Sequence, residues 1–111
     1  MGWPVCFEHN LRIGSPESNV GICTLWSEKD SIISRISKEY YAILGNLYSQ
    51  KGIEYLIRNT LANPRIRYIV IFGQDMANSG EKLIKLVKGD NLDINIDDKF
   101  LDIFRKQIKV F

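Results

Sequence analysis

Three short apolar runs, at 20–25, 42–44 and 69–72, each empty into a loop of small and polar residues, and helix-length segments separate them. Near-continuous apolar runs are what strands covered on both faces require. Strands joined by helical crossovers lie parallel, so the three following loops crowd one edge of the sheet. Those loops hold Leu25, Trp26 and Ser27; Asn46, Leu47, Tyr48 and Ser49 behind Gly45; and Gly73, Gln74, Asp75 and Met76 leading to Ser79 and Gly80. Open α/β sheets bind their ligands at that edge, which makes these residues the candidate binding site.

The remaining pattern supplies the crossovers. Pro4, Gly14 and Pro16 bar regular structure from residues 1–19, and Ser15-Pro16-Glu17-Ser18 reads as a turn. After the first strand, Asp30 or Ser31 can cap a short helix that aligns Ile32, Ile33, Ile36 and Tyr40, and a second strand runs from Tyr40 or Tyr41 to Gly45. Ile53, Leu56, Ile57 and Leu61 repeat at helical spacing over 52–62, until Asn63-Pro64 stops the helix. The β-branched and aromatic run 66–72 predicts the central strand. Ser79 is placed to cap a helix that carries Leu83, Ile84 and Val87, with Glu81 in its first turn and Lys88-Gly89 at its end. Leu92, Ile94 and Ile96 alternate with polar residues, which suits an edge strand or extended segment. Asp97 and Asp98 open a last helix that presents Phe100, Leu101, Phe104, Ile108 and Phe111 on one face, while Arg105, Lys106 and Lys109 complement its dipole. The order predicts one α/β domain over residues 1–111, Rossmann-like, with a small mainly parallel sheet and helices on both faces.

Composition narrows the function classes. A chain of 111 residues with 45% hydrophobic and 25% charged residues is globular and carries a single core. A net charge of +2 without a basic cluster argues against a nucleic-acid surface. No apolar run approaches the roughly 20 residues of a membrane span and no secretory pattern opens the chain, so a cytoplasmic location is expected. Cys6 and Cys23 lack the close pairing of a metal site, and Cys23 falls in a strand as a small buried hydrophobe. His9, beside Glu8 and near Cys6, is the sole histidine and lies far in sequence from the loops. Without a G-x-S-x-G elbow, hydrolase chemistry has no nucleophile. The glycines of the third loop do not form a G-x-G-x-x-G fingerprint, nor is there a P-loop run. Glu17, Asp75 and Glu81 can gather near the edge, yet a carboxylate at a helix start is most simply stabilising that helix, so no catalytic acid or base is assigned. Backbone N–H groups at Ser79 and Gly80 suit an anion or amide oxygen. The amide, hydroxyl and aromatic groups of the second loop suit a planar ligand, or else Tyr48 simply covers the core edge; Trp26 is either a stacking platform or a lid.

Several motifs carry a resemblance. Trp3-Pro4-Val5, then Ile13-Gly14-Ser15-Pro16-Glu17-Ser18-Asn19-Val20 leading to Thr24-Leu25-Trp26-Ser27, resembles the opening of the corrinoid-carrying A subunit of tetrahydromethanopterin S-methyltransferase. Gly52-Ile53-Glu54, Asn59, Asn63-Pro64-Arg65-Ile66-Arg67-Tyr68 up to Gly73, and Phe104-Arg105-Lys106-Gln107 follow the same protein in order. Pro4-Val5-Cys6-Phe7-Glu8-His9-Asn10 is similar to a related archaeal domain of unknown function found with thymidylate synthase sequences. The first resemblance implies a Rossmann-like cytoplasmic domain that carries a cobamide between the three loops. It also implies an axial histidine for cobalt in the loop before Gly52-Ile53-Glu54; Leu47 or Tyr48 stands at that place, and neither offers an imidazole. The membrane-anchoring helix of that family has no counterpart here, so a soluble paralogue or a domain of a longer chain is expected. Two functions follow: a corrinoid-carrier-like domain of one-carbon metabolism, taking a corrinoid or another large planar molecule and partnering a methyltransferase subunit, or an accessory domain of a thymidylate-synthase-like enzyme without its own cofactor.

Overall fold

Val20-Gly21-Ile22-Cys23 forms the strand around which the sheet is built, because its alternating side chains feed two different cores. The computed structural model describes residues 11–26, 35–73 and 78–111. Among these the strands are β1 (Arg12–Ile13), β2 (Val20–Cys23), β3 (Ile43–Gly45), β4 (Tyr68–Ile71) and β5 (Lys109–Val110), in the spatial order β1-β3-β2-β4-β5. β3, β2, β4 and β5 run parallel, and β1 joins β3 antiparallel. The expectation of a mainly parallel α/β sheet therefore holds, with β2 rather than β4 at its centre. The registers Gly21↔Ile43 and Gly21↔Ile69 bring the carboxyl ends of β2, β3 and β4 to one edge. The chain steps outward from β2 to β3, then back past β2 to β4 and on to β5, so its direction reverses between β2 and β4.

The helices are α1 (Gln50–Leu61), α2 (Ser79–Val87) and α3 (Asp98–Gln107). All three touch one another and share one cluster with Cys23, Ile69, Ile43 and Val110 of the sheet. Ile53, Ile57, Leu83, Leu86, Leu101 and Phe104 are its buried helical members, as their spacing requires. The opposite sheet face holds Ile22, Leu44 and Tyr41, with Val20, Ile36 and Phe72 against them. Of the two helical layers that the element order predicts, the three described helices form one; the helix expected after Asp30 or Ser31 falls largely outside the described residues. Lys38–Tyr40 form a short 3-10 turn, which leaves Tyr40 exposed instead of on a buried stripe.

Four further differences have physical causes. Residues 12 and 13 pair with Leu44 and Ile43, so the lead-in is not wholly irregular. Leu92, Ile94 and Ile96 form no strand; they are half-buried because they pack on the helical cluster, and burial alone produces the alternation. The last helix ends at Gln107, and Phe111 does not share its face. The backbone of Ile108 is extended and the chain joins β4, with the Lys109 N–H donating to the Arg67 carbonyl at 2.9 Å and the Phe111 N–H to the Ile69 carbonyl at 2.9 Å. Arg105 does more than complement a dipole: its Nε donates to the Leu86 carbonyl at 2.8 Å and its guanidinium to the Asp90 carbonyl at 2.9 Å, tying α3 to the exit of α2. That exit turns through Gly89 at φ 117°.

Candidate functional site

The edge has two sides, one between β2 and β3 and one between β2 and β4. On the first, Leu25 leaves β2 with φ 55°, a conformation that costs a non-glycine residue energy. Asn46 holds it there: its side-chain amide donates to the Leu25 carbonyl at 2.9 Å and to Thr24 Oγ1 at 3.1 Å. The Leu47 N–H donates to the same Leu25 carbonyl at 3.2 Å, and the Thr24 N–H to the Gly45 carbonyl at 2.9 Å. The two loops are thus fastened together by the chain itself.

Leu47 and Tyr48 then part company. Leu47 is only 2% exposed and belongs to the core, whereas Tyr48 is 52% exposed beside Trp26 at 44%. Their rings lie edge to face, 5.2 Å between centroids and 81° between planes, so the ends of β2 and β3 share an aromatic corner. Ser49 stands exposed at the N-cap of α1 without a side-chain capping bond.

On the second side, the Phe72 N–H donates to the Cys23 carbonyl at 2.9 Å and Gly73 turns the chain at φ 107°. Asn78, at φ 57°, is the N-cap of α2, and its carbonyl accepts the Lys82 N–H at 3.0 Å. Ser79 does not take the capping place that the sequence suggests. It is the first helical residue, 0% exposed, and its hydroxyl has no hydrogen-bond partner among the described residues. Gly80 is buried and, with Leu25, Phe72, Gly73, Lys85 and Phe111, lines a shallow depression. Glu81 pairs with Lys85 at 3.1 Å. Ser27, Gln74, Asp75 and Met76, together with Cys6, Glu8 and His9, lie outside the described residues. Cys23 is buried, as its place in the strand predicts.

Beneath α1 lies a cavity of about 590 Å³, and it reaches residues to which the loop pattern does not point. Gly21, Tyr55, Asn59 and Thr60 line it, Lys51 stands with them, and Asn46, Tyr48 and Ser49 carry it to the edge. Two signals of it stand in the sequence: a glycine inside a strand, and polar residues at 59 and 60 on the stripe set by Leu56. Among the described residues no group of His, Cys, Asp or Glu could hold a metal ion, and no helix is long and apolar enough to cross a membrane.

A mixed, mostly parallel sheet with three loops at one edge defines an α/β domain. Residues 1–96 match the model of a family described as the A subunit of tetrahydromethanopterin S-methyltransferase, and the chain belongs to that family. A protein of that name from Methanopyrus kandleri is 36% identical over 77 residues, 68% of this chain and 30% of the relative. One from Methanohalophilus mahii is 31% identical over 100 residues, 85% of this chain and 40% of the relative. The form designated A 1 from Methanothermobacter marburgensis is 29% identical over 127 residues, 98% of this chain and 52% of the relative. The chain thus spans 30% to 52% of the length of these relatives. The thymidylate-synthase association gains no support from these names.

Proposed function

We propose that this chain is a carrier domain of one-carbon metabolism that holds a corrinoid, or another large planar ligand, across the loops at the carboxyl ends of β2, β3 and β4, as part of a methyltransferase. One observation carries the reading: in a chain of this family, Trp26 and Tyr48 present an aromatic corner at the edge where parallel sheets take ligands. A Rossmann-like use of the sheet, with the ligand at the reversal of chain direction, is part of the same proposal.

The residues suit the planar part of a corrinoid and not its axial coordination. Exposed aromatic rings cover an apolar face and exclude water from it, and exposed Gly73 lets a ligand approach the backbone closely. Asn46 spends its amide on Leu25 and Thr24, so it sets the spacing of the two loops; Ser49 is left to meet the ligand rim. Of the two aligned candidates for an axial ligand, Leu47 is committed to the core and Tyr48 is a phenol. The corrinoid, when bound, would supply the methyl-accepting centre, and the protein would supply orientation.

Titration with cobalamin, removal of unbound corrinoid and visible absorption spectroscopy test this reading. Retention of about one equivalent is the expected result for a single site; absence of retention overturns it.

A further inference from the structure

We propose that the cavity beneath α1 is a second binding site, built for a flat aromatic molecule that carries a negative charge at one end. Its origin is a missing side chain. On the helix-covered face of the sheet, Gly21 lies between Ile43 and Ile69 in register. A β-carbon there would meet Ile43 Cγ2 at 3.7 Å, Ile69 Cγ1 at 3.8 Å and the Tyr68 carbonyl oxygen at 3.9 Å, all ordinary contacts. Packing therefore permits a β-carbon at the very centre of the sheet, where glycine weakens a strand. What the glycine provides is room. The space opens to solvent beside Tyr48, Ser49 and Lys51, so a ligand that fills it removes its apolar walls from water. A space of about 590 Å³ falls in the range of small-molecule pockets.

The walls define the occupant. Ile43, Ile66, Ile69 and Leu56 make the space mostly apolar, a poor host for ordered water and a good one for a flat ring. Thr60, buried on α1, donates its hydroxyl proton to the Leu56 carbonyl at 2.7 Å and keeps its oxygen lone pairs for a donor on the ligand. Among the described lining residues Lys51 is the sole charged one, and it is exposed, so an anionic group is matched at the mouth and nowhere deeper. The cavity opens beside Tyr48 and Ser49 of the loop edge, but its floor at Gly21 and its wall at Leu56 are no part of the corrinoid reading, so cobalamin retention and the experiment below can fail separately.

The test uses two probes on the full chain, 8-anilinonaphthalene-1-sulfonate and its uncharged counterpart N-phenyl-1-naphthylamine, followed by fluorescence. Saturable binding of both is expected. Gly21→Val, which fills the floor, should weaken both by about tenfold or more while circular dichroism stays unchanged. Lys51→Gln should weaken the sulfonate about threefold and leave the neutral probe alone. Leu56→Phe fills the opposite wall and gives the same readout if Gly21→Val fails to fold. Non-saturable binding, equal affinity in a folded Gly21→Val or Leu56→Phe protein, or stronger fluorescence in those variants overturns the proposal.

Discussion

The two sides of the ligand edge are built by different means. Between β2 and β3 the geometry is held by a side chain: Asn46 reaches across to Leu25 and Thr24 and fixes a strained turn. Between β2 and β4 it is held by the backbone, through Gly73 and the left-handed Asn78, and α2 begins without a side-chain cap. A side-chain clamp is broken by one substitution, whereas a backbone turn responds only to residues that resist its φ. The β2–β3 side should therefore be the more sensitive to mutation, although it also carries the edge-to-face pair of Trp26 and Tyr48.

The largest contrast is expected between neighbours. Leu47→His should destabilise the fold by about 3 kcal/mol or more, since it removes a core leucine and buries an imidazole. Tyr48→His, on an exposed position, should change stability by no more than about 0.5 kcal/mol. Urea unfolding of both variants measures the difference, and the visible spectrum of added cobalamin with Tyr48→His then shows whether an imidazole at this corner reaches cobalt. Equal stability of the two variants would mean that the loop does not sit as described. Next comes Asn46→Ala, with a loss of about 1–2 kcal/mol for a clamp of two hydrogen bonds, read in the same experiment. A neutral result would erase the distinction between the two sides. The last effect has the opposite sign. Because the Ser79 hydroxyl is buried without a partner among the described residues, Ser79→Ala should stabilise by about 1 kcal/mol, whereas a working cap would lose about that much. The sign of the shift in unfolding midpoint decides between them.

Legibility from sequence follows the strength of the local signal. β2, β3 and β4 are readable because strands apolar on both faces leave unbroken runs, and α1 because Ile53 and Ile57 repeat at its period. β1 and β5 are two residues each, too short for any period to show. Ile108 and Phe111 also fit the stripe of the preceding helix, but pairing with β4 wins over local periodicity. At the edge, spacing places the ends of β2, β3 and β4 side by side yet does not distinguish Leu47 from Tyr48; which of two neighbours turns inward depends on the packing around α1. Gly21 is visible as a residue and silent as a cavity, because the meaning of an absent side chain depends on what faces it across the sheet.

The basic side chains on the outer strands have a bearing on how such a sheet behaves at high concentration. A long bare strand at the rim of a sheet is a template on which other copies can stack into insoluble assemblies. Here Arg12–Ile13 and Lys109–Val110 end the described sheet after two residues each, and each carries a basic side chain. Among the described residues, a basic side chain on each outer strand works against pairing with a second copy of the same rim.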